Sequence, residues 1–597
     1  LEFRVNPPPL AAAHPWKTLT PDGRLVRRLA SELGMEPMLA GILANRGITD
    51  RDAADAFLKP SVDALHDAHG LADMQRAAER VTQALAADET ILIYGDADVD
   101  GLSATALLVE VLSTLGRRPL VFVPNRAYDG YSFTERGVQY ILEQGAKLVI
   151  SVDNGTSAVD AIAELQGQGV DVIVTDHHLP AATLPPAFAL VNPRREDCHY
   201  PNPELSGTGV AFKLACAVAH RAGGRGRAPA AVGKVLGGAL AWVAMGTVAD
   251  VMPLVGENRV LVARGLRALT HSASPGLRAL CGVSGMGPGH SATTEDISFK
   301  LAPRINAAAR MGRSDVAVAL VTATDENIAN DLAATLDKLN RDRQAAERRL
   351  MADLAPRLAE VPDGQPAILG HDDWNTGLLG LVAGRVSRQR GIPTVLVSWA
   401  QGNPGKGSCR SAGSFHVHAA LEHCAPLLAG FGGHRFAAGF SLARENMDAF
   451  RAAFLENWEA YAAAGRPTEA LNIEGELPLV ALNTRFLRAV EQLEPFGQAN
   501  HRPLLVSSDV EVAVARRMGG DGSHLELQLA QGVARLRAVA FGRGDLADQL
   551  VPGQHIDVVY HPKLNRWRGR EQPEAELVDL RSARSGASAP GDASAAE

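Results

Sequence analysis

The sequence predicts an α/β protein: a doubly wound parallel-sheet domain, a long connecting helix, a second α/β domain and a C-terminal β-barrel. Three observations carry this. Short β-branched runs at Leu120–Val123, Leu148–Val152 and Val172–Thr175 alternate with helical stretches such as 103–115 and 157–168, which is the pattern of a parallel sheet. From Asp325 to about Leu354 the apolar residues hold a helical period, enough for ~45 Å of helix at 1.5 Å per residue. Beyond residue 470 the period changes to two, with strands expected at 504–508, 510–514, 525–529, 536–541 and 556–560.

A chain of 597 residues is too long for one core, so roughly three or four domains are expected. The expected divisions are a helical lead-in at 1–70, the first α/β domain at 71–324, the helix at 325–360, the second α/β domain at 361–466 and the barrel at 467–581. The Ser/Ala/Gly/Pro-rich tail, 582–597, is expected to be disordered. A net charge of −8 argues against a generic polyanion binder, so any nucleic-acid contact must come from local basic patches. The five cysteines form no CxxC pair, which points to reduced cytoplasm. No uninterrupted apolar run is long enough to span a bilayer, and no membrane association is expected. The opening Leu1-Glu2-Phe3 shows no signal-peptide pattern.

In chain order, the first chemical feature is Ile91-Leu-Ile-Tyr-Gly-Asp96-Ala-Asp98-Val-Asp100-Gly101. A buried strand ends on glycine, and three carboxylates follow at alternate positions. Such carboxylates repel each other unless a cation neutralises them, and oxygen ligands suit Mg²⁺, Mn²⁺ or Ca²⁺. An EF-hand loop is excluded, because Leu107 stands where a bidentate Glu is required and the preceding run is strand-like. The strand at 148–152 runs into Asp153-Asn154-Gly155, and the strand at 172–175 into Asp176-His177-His178. An Asp at one strand end is ordinarily a turn or cap. Three such ends on one predicted sheet edge, where α/β proteins bind ligands, point to a metal site. Asp250 follows an apolar helical run from about Val232, and a charge there calls for a partner, a metal or a capping role.

A ring of ligands this rich in carboxylates suits a metal pair, which needs a bridging carboxylate. Asp153 is the expected bridge, because its strand end lies between the other two. Asp98, with Asp96, is expected to hold one ion, and Asp100, His177 and Asp250 the other. The imidazole shifts the preference from Mg²⁺ towards Mn²⁺. His178 is expected to face the phosphate and Asp176 to orient an imidazole. The loop Pro124–Tyr131 offers Arg126 to a phosphate and Tyr131 to a base.

These four motifs together resemble the DHH phosphoesterase superfamily. Longer strings resemble its RecJ branch, the bacterial single-strand-specific DNA exonucleases: Leu205–Lys213, Gly246–Leu254 with Gly256-Glu-Asn-Arg259, Leu301–Arg310, Phe431–His434 with Ala437–Gly439, and Leu493–Asn500. The resemblance spans roughly residues 70 to 570. It implies that the long helix bridges two domains, that the second is a DHHA1 substrate-binding domain, and that the barrel is an OB-fold, on which Arg516, Arg517, His524, Arg535, Arg537, Lys563, Arg566, Trp567 and Arg568 are expected to supply charge and a stacking face for a single strand. It implies catalytic roles for Arg304, Asn306 and Arg310, and phosphate contacts for Arg410, Ser411 and His434. The expected activity is two-metal hydrolysis of single-stranded DNA from the 5′ end to 5′-mononucleotides, in recombination and repair. The expected partners are a single-strand-binding protein and a recombination helicase, and the expected state is a monomer. Ala309, Asp129 and Asn375 depart from the family pattern without touching an expected ligand. Two other functions compete: a DHH phosphoesterase for small substrates, which the strings and the barrel disfavour, and a non-catalytic DNA-binding scaffold, which should have lost ligands.

Overall fold

The computed structural model describes residues 10–583 except 127–128, 131, 224–227, 288, 466–469 and 568. Tyr131, Arg568 and nearly all of the expected tail therefore lie outside the described residues; Ser582 itself ends a strand. The chain forms two compact units: residues 61–467 with 497–499, and residues up to 60 with 468–496 and the chain from 500 onward.

In the larger unit the first sheet is built from β1 (Ile91–Tyr94), β2 (Leu120–Phe122), β3 (Leu148–Val152), β4 (Asp171–Thr175) and β5 (Ala189–Val191). Among the described residues all are parallel, in the order β2-β1-β3-β4-β5. Both faces are covered, which is why these strands read as continuous apolar runs. Ile91 and Ile93 face one core with Ile150 and Ile173, while Leu92 and Tyr94 face the other with Val149 and Val172. Helices α1 (Val99–Thr114), α2 (Gly207–Ala222) and α3 (Ala230–Ala249) pack on the first face. By length and composition α3 could cross a membrane. Here Leu240, Trp242 and Met245 are buried in the core, so its apolarity belongs to a core helix.

A π-helical turn at 297–301 leads into α4 (Ala302–Arg310), and α5 (Glu326–Ala359) follows. The buried stripe of α5 is Ala329, Ala333, Leu336 and Asn340. The hydrophobic period predicts a stripe of Ile328, Leu332, Leu336, Leu339 and Leu350; Leu336 and Leu350 are buried, Leu332 and Leu339 pack half-buried against the core, and Ile328 alone is exposed. Leu336 packs into the first core, and Leu350, Leu354 and Leu358 into the next, so α5 joins the two modules. The second module carries β6 (Ala367–His371), α6 (Thr376–Arg390), β7 (Thr394–Ser398), β8 (Gly405–Arg410), β9 (Leu428–His434) and β10 (Ala437–Leu442). Its strands are ordered β9-β10-β8-β7-β6.

In the smaller unit β11 (Leu505–Met518), β12 (His524–Gln531), β13 (Ala534–Ala540), β14 (His555–Trp567) and β15 (Arg570–Ser582) close a barrel through β11–β14 pairing. The barrel differs from expectation in two strands. Residues 504–508 and 510–514 belong to one strand, which continues through an irregularity at Asp509, where φ is 53°. The remaining strand is β15, whose charged residues masked its alternation. Leu39, Ile42 and Leu43 share a core with Leu477, Phe486 and Leu527, so the N-terminal helices pack with the barrel rather than form a separate lead-in.

Candidate metal centre

Register brings the acidic strand ends together. Tyr94 pairs with Ser151 and Val152 with Thr175, so β1, β3 and β4 end level and their following residues share one edge. After β1, Asp98 caps α1: its Oδ1 accepts the N–H groups of Asp100 and Gly101, both at 3.1 Å. That turn carries Asp100 inward, where it is buried. After β3, Asp153 adopts a left-handed conformation with φ 60°, a strained state for a residue with a side chain. Gly207 faces it closely, since a Cβ there would lie 2.6 Å from Asp153 Oδ1. After β4 come Asp176, His177 and His178. Asp250 stands at the C-terminal end of α3, where a carboxylate opposes the helix dipole. A simple capping role therefore does not explain its charge.

His177 is the meeting point. Its Nε2 lies 3.1 Å from Asp153 Oδ1, 3.6 Å from Asp250 Oδ2 and 3.8 Å from Asp100 Oδ2. Ligand atoms of Asp96, Asp98 and Asp153 lie within 4.8 Å of one another, as do those of Asp100, His177 and Asp250, and those of Asp153, His177 and His178. Burial, then Asp100, Asp98 and Asp96, pushes Asp153 well above the usual carboxylate range. Burial, Asp100 and Asp98 raise Asp250 to about 7. Burial lowers His177, which favours the neutral imidazole that a metal binds.

The donor set fits divalent cations. Among the described residues, the buried Asp153 Oδ1 and His177 Nδ1 have no hydrogen-bond partner, although a buried polar atom is ordinarily satisfied. Asp153 Oδ1 is close to His177 Nε2 but lacks hydrogen-bond geometry. A cation already sits against the first carboxylates: the Arg126 guanidinium pairs with Asp96 and lies 2.9 Å from Asp98 Oδ2. Oxygen and imidazole donors in this proportion suit Mn²⁺ or Mg²⁺.

Asp176 is fully engaged behind the ring. Its Oδ1 accepts from the His177 and His178 N–H groups at 2.7 and 3.1 Å and pairs with His178 Nδ1 at 2.7 Å; its Oδ2 accepts from Thr156 N–H at 3.0 Å. Burial opposes ionisation, but these bonds, His178 first, hold Asp176 well below its ordinary value. The same pair raises His178 to about 9. The imidazole that Asp176 orients is thus that of His178, half-exposed beside the ligands.

The other expected residues are placed differently. Arg126 lies on Asp96 and Asp98 rather than turned outward. Arg304 is held by Asp337 of α5 at 2.9 Å and by the Lys300 carbonyl at 2.6 Å. Arg310 donates to the Gly377 carbonyl at 3.2 Å, tying α4 to α6, and Asn306 is half-buried on α4. Arg410 lies over Gly380 and donates to Ser408 Oγ at 2.9 Å, while the Ser411 hydroxyl donates to the Phe415 carbonyl. His434 is exposed at the end of β9. In the barrel, Arg516, Arg517, Arg537 and Arg566 of the expected basic face are each paired with an acidic side chain. Sequence reading missed Thr156, Asn192 and Thr208. Asn192 Nδ2 donates to the His178 carbonyl at 2.8 Å and to Thr156 at 3.0 Å. Small polar residues like these carry no spacing signal.

The fold and the carboxylate–histidine ring define a DHH-type phosphoesterase. The DHH family N-terminal domain matches residues 90–239, the DHHA1 domain residues 363–460, and the RecJ OB domain residues 473–579. The single-stranded-DNA-specific exonuclease RecJ of Dickeya dadantii is 33% identical over 578 residues, covering 93% of this chain and 99% of that protein. The Bacillus subtilis protein of the same name is 31% identical over 573 residues, covering 96% and 71%. Crystal structures of Thermus thermophilus RecJ superpose with TM-scores of 0.81 for the Mn²⁺ complex (32% identity, 96% of this chain, 80% of that) and 0.75 for the Mg²⁺ complex (30%, 96% and 79%). The chain belongs to the RecJ family of single-stranded-DNA-specific exonucleases.

Proposed function

We propose that this chain hydrolyses single-stranded DNA from its 5′ end to 5′-mononucleotides, in cytoplasmic recombination and repair. The observation that carries the reading is the convergence of Asp96, Asp98, Asp100, Asp153, His177 and Asp250 on one sheet edge, with Asp96, Asp100, Asp153 and His177 buried and Asp98 and Asp250 open to solvent. Asp96 and Asp98 would hold one divalent cation, Asp100, His177 and Asp250 the other, and Asp153 would stand between them. When bound, Mn²⁺ or Mg²⁺ supplies charge stabilisation at the phosphoryl oxygens and lowers the pKa of a water.

The chain's own groups do the rest. Water adds at phosphorus and the P–O3′ bond breaks, which places negative charge on the phosphoryl oxygens. His178, held protonated by Asp176, directs a donor at that charge. Arg126, displaced from Asp96 and Asp98 by the ions, is a cation for the same phosphate. Arg410, Ser411 and His434 are proposed contacts for the strand, and Asn306 and Arg310 border the reacting end. A monomer working with a single-strand-binding protein and a recombination helicase completes the proposal.

The test is digestion of single-stranded and duplex DNA, labelled at either end, with Mn²⁺, Mg²⁺ or EDTA, beside Asp153→Ala. Metal-dependent release of mononucleotides from the 5′ end of single strands, lost in the variant, is expected. Tight single-strand binding without cleavage in either protein would leave the scaffold reading instead.

A further inference from the structure

The strings Leu205–Lys213 and Gly256–Arg259 supply no metal ligand, yet the first grips one, Asp100, and the second holds the entry to the first. The first turn of α2 engages both oxygens of Asp100. Oδ2 accepts the Gly207 N–H at 2.7 Å; Oδ1 accepts the Thr208 N–H at 2.9 Å and the Thr208 hydroxyl at 2.5 Å. The Asp100 carbonyl, 2.8 Å from the same hydroxyl, is the other acceptor within reach of its single proton; Oδ1 is the nearer. The opposite wall is bare helix: a Cβ on Gly246 of α3 would lie 2.2 Å from both Asp100 Oδ1 and Thr208 Oγ1. Asp100 is therefore held on one side by the α2 donors and confined on the other by the α3 backbone. Its oxygen nearer to His177 Nε2 is Oδ2, which among the described residues accepts one hydrogen bond, from the Gly207 N–H, and keeps a lone pair.

The entry to α2 is fixed in turn. Ser206 Oγ lies 3.1 Å from Thr247 Oγ1, and Asn258 donates to the Glu204 carbonyl at 2.5 Å. Glu257 accepts from Tyr200 at 3.0 Å and pairs with Lys213 at 2.6 Å, and both ends of that pair are buried. An uncompensated charge at such a site is costly, so the pair holds the 200–206 segment in one place.

We propose that Thr208 is a positioning residue for the cation that Asp100 holds: its hydroxyl fixes the carboxylate so that one Oδ2 lone pair is presented to the metal. This rests on the two-metal reading above.

The test uses Thr208→Ala, which removes the hydroxyl but keeps both backbone donors, and Thr208→Ser, which keeps the hydroxyl. Mn²⁺ is titrated into the metal-free full-length proteins by calorimetry, and single-strand binding is measured in EDTA. Wild type is expected to take up two ions. The alanine protein should bind one of them about tenfold or more weakly, bind the other as wild type does, and keep its EDTA strand binding; serine should restore the weakened site. A folded alanine protein that binds both ions as wild type does would overturn the proposal. Wild type that binds no Mn²⁺ would instead sink the two-metal reading. Should the alanine protein fail to fold, Thr208→Cys, a weaker donor, is read the same way.

Discussion

At the scale of single residues, the metal centre is a problem of charge crowding resolved by second partners. Asp176 accepts four hydrogen bonds and makes His178 a fixed cation. Asp176→Asn should lower kcat about 10–100-fold, and histidine NMR should show the His178 pKa falling from about 9 towards its ordinary value. A remote carboxylate gives a cleaner stability prediction. Asp296 is held down to about 2: burial opposes ionisation, and Lys300, His290 and Thr293 overcome it. A depressed folded pKa means a contribution present above the unfolded value of 3.8 and lost as pH falls through about 2. In urea denaturation the gap between wild type and Asp296→Asn should be full above pH 3.8 and narrow below it.

At the scale of elements, helix ends set the geometry. The N-terminus of α5 is capped by Asp325, whose Oδ1 accepts from Asn327 N–H at 2.8 Å and Ile328 N–H at 3.0 Å. Asp325→Ala should cost about 1 kcal/mol in chemical denaturation and leave metal affinity unchanged. The N-terminus of α2 is less tolerant. Gly207→Ala drives a methyl into Asp153, so calorimetric Mn²⁺ binding should be lost even if far-UV circular dichroism is retained. The Asp motifs were legible because strand-end carboxylates at fixed spacing are rare without a cause. The α5 stripe was legible except at its start, where Ile328 is exposed and the small Ala329 and Ala333 are buried: small residues weigh little in a hydrophobic count, yet they are what close packing selects.

At the scale of the whole molecule, the buried carboxylates destabilise the fold until cations arrive. Metal binding to the native state should raise the melting temperature, by the equivalent of about 2.7 kcal/mol at one hundred times Kd. Calorimetric scans with Mn²⁺ and with EDTA check this, and Asp153→Ala should abolish most of the difference. The barrel's arginines show the opposite case. Arg516 and Arg537 looked like a nucleic-acid face in one dimension, but cross-strand pairing sets Glu526 between them and Glu574 beside Arg537. Charge neutralisation across strands has no local sequence signature.

The sequence alone determined the α/β class, the long helix, the barrel and the membership of the acidic ring, because periodicity and motif spacing are local properties of the chain. Tertiary structure alone decided that the N-terminal helices share the barrel's core, that Arg304 serves Asp337, that Arg126 covers the first carboxylates and that Thr208 grips Asp100. Each of these joins residues distant in sequence, and each depends on which side chains packing brings within hydrogen-bond reach.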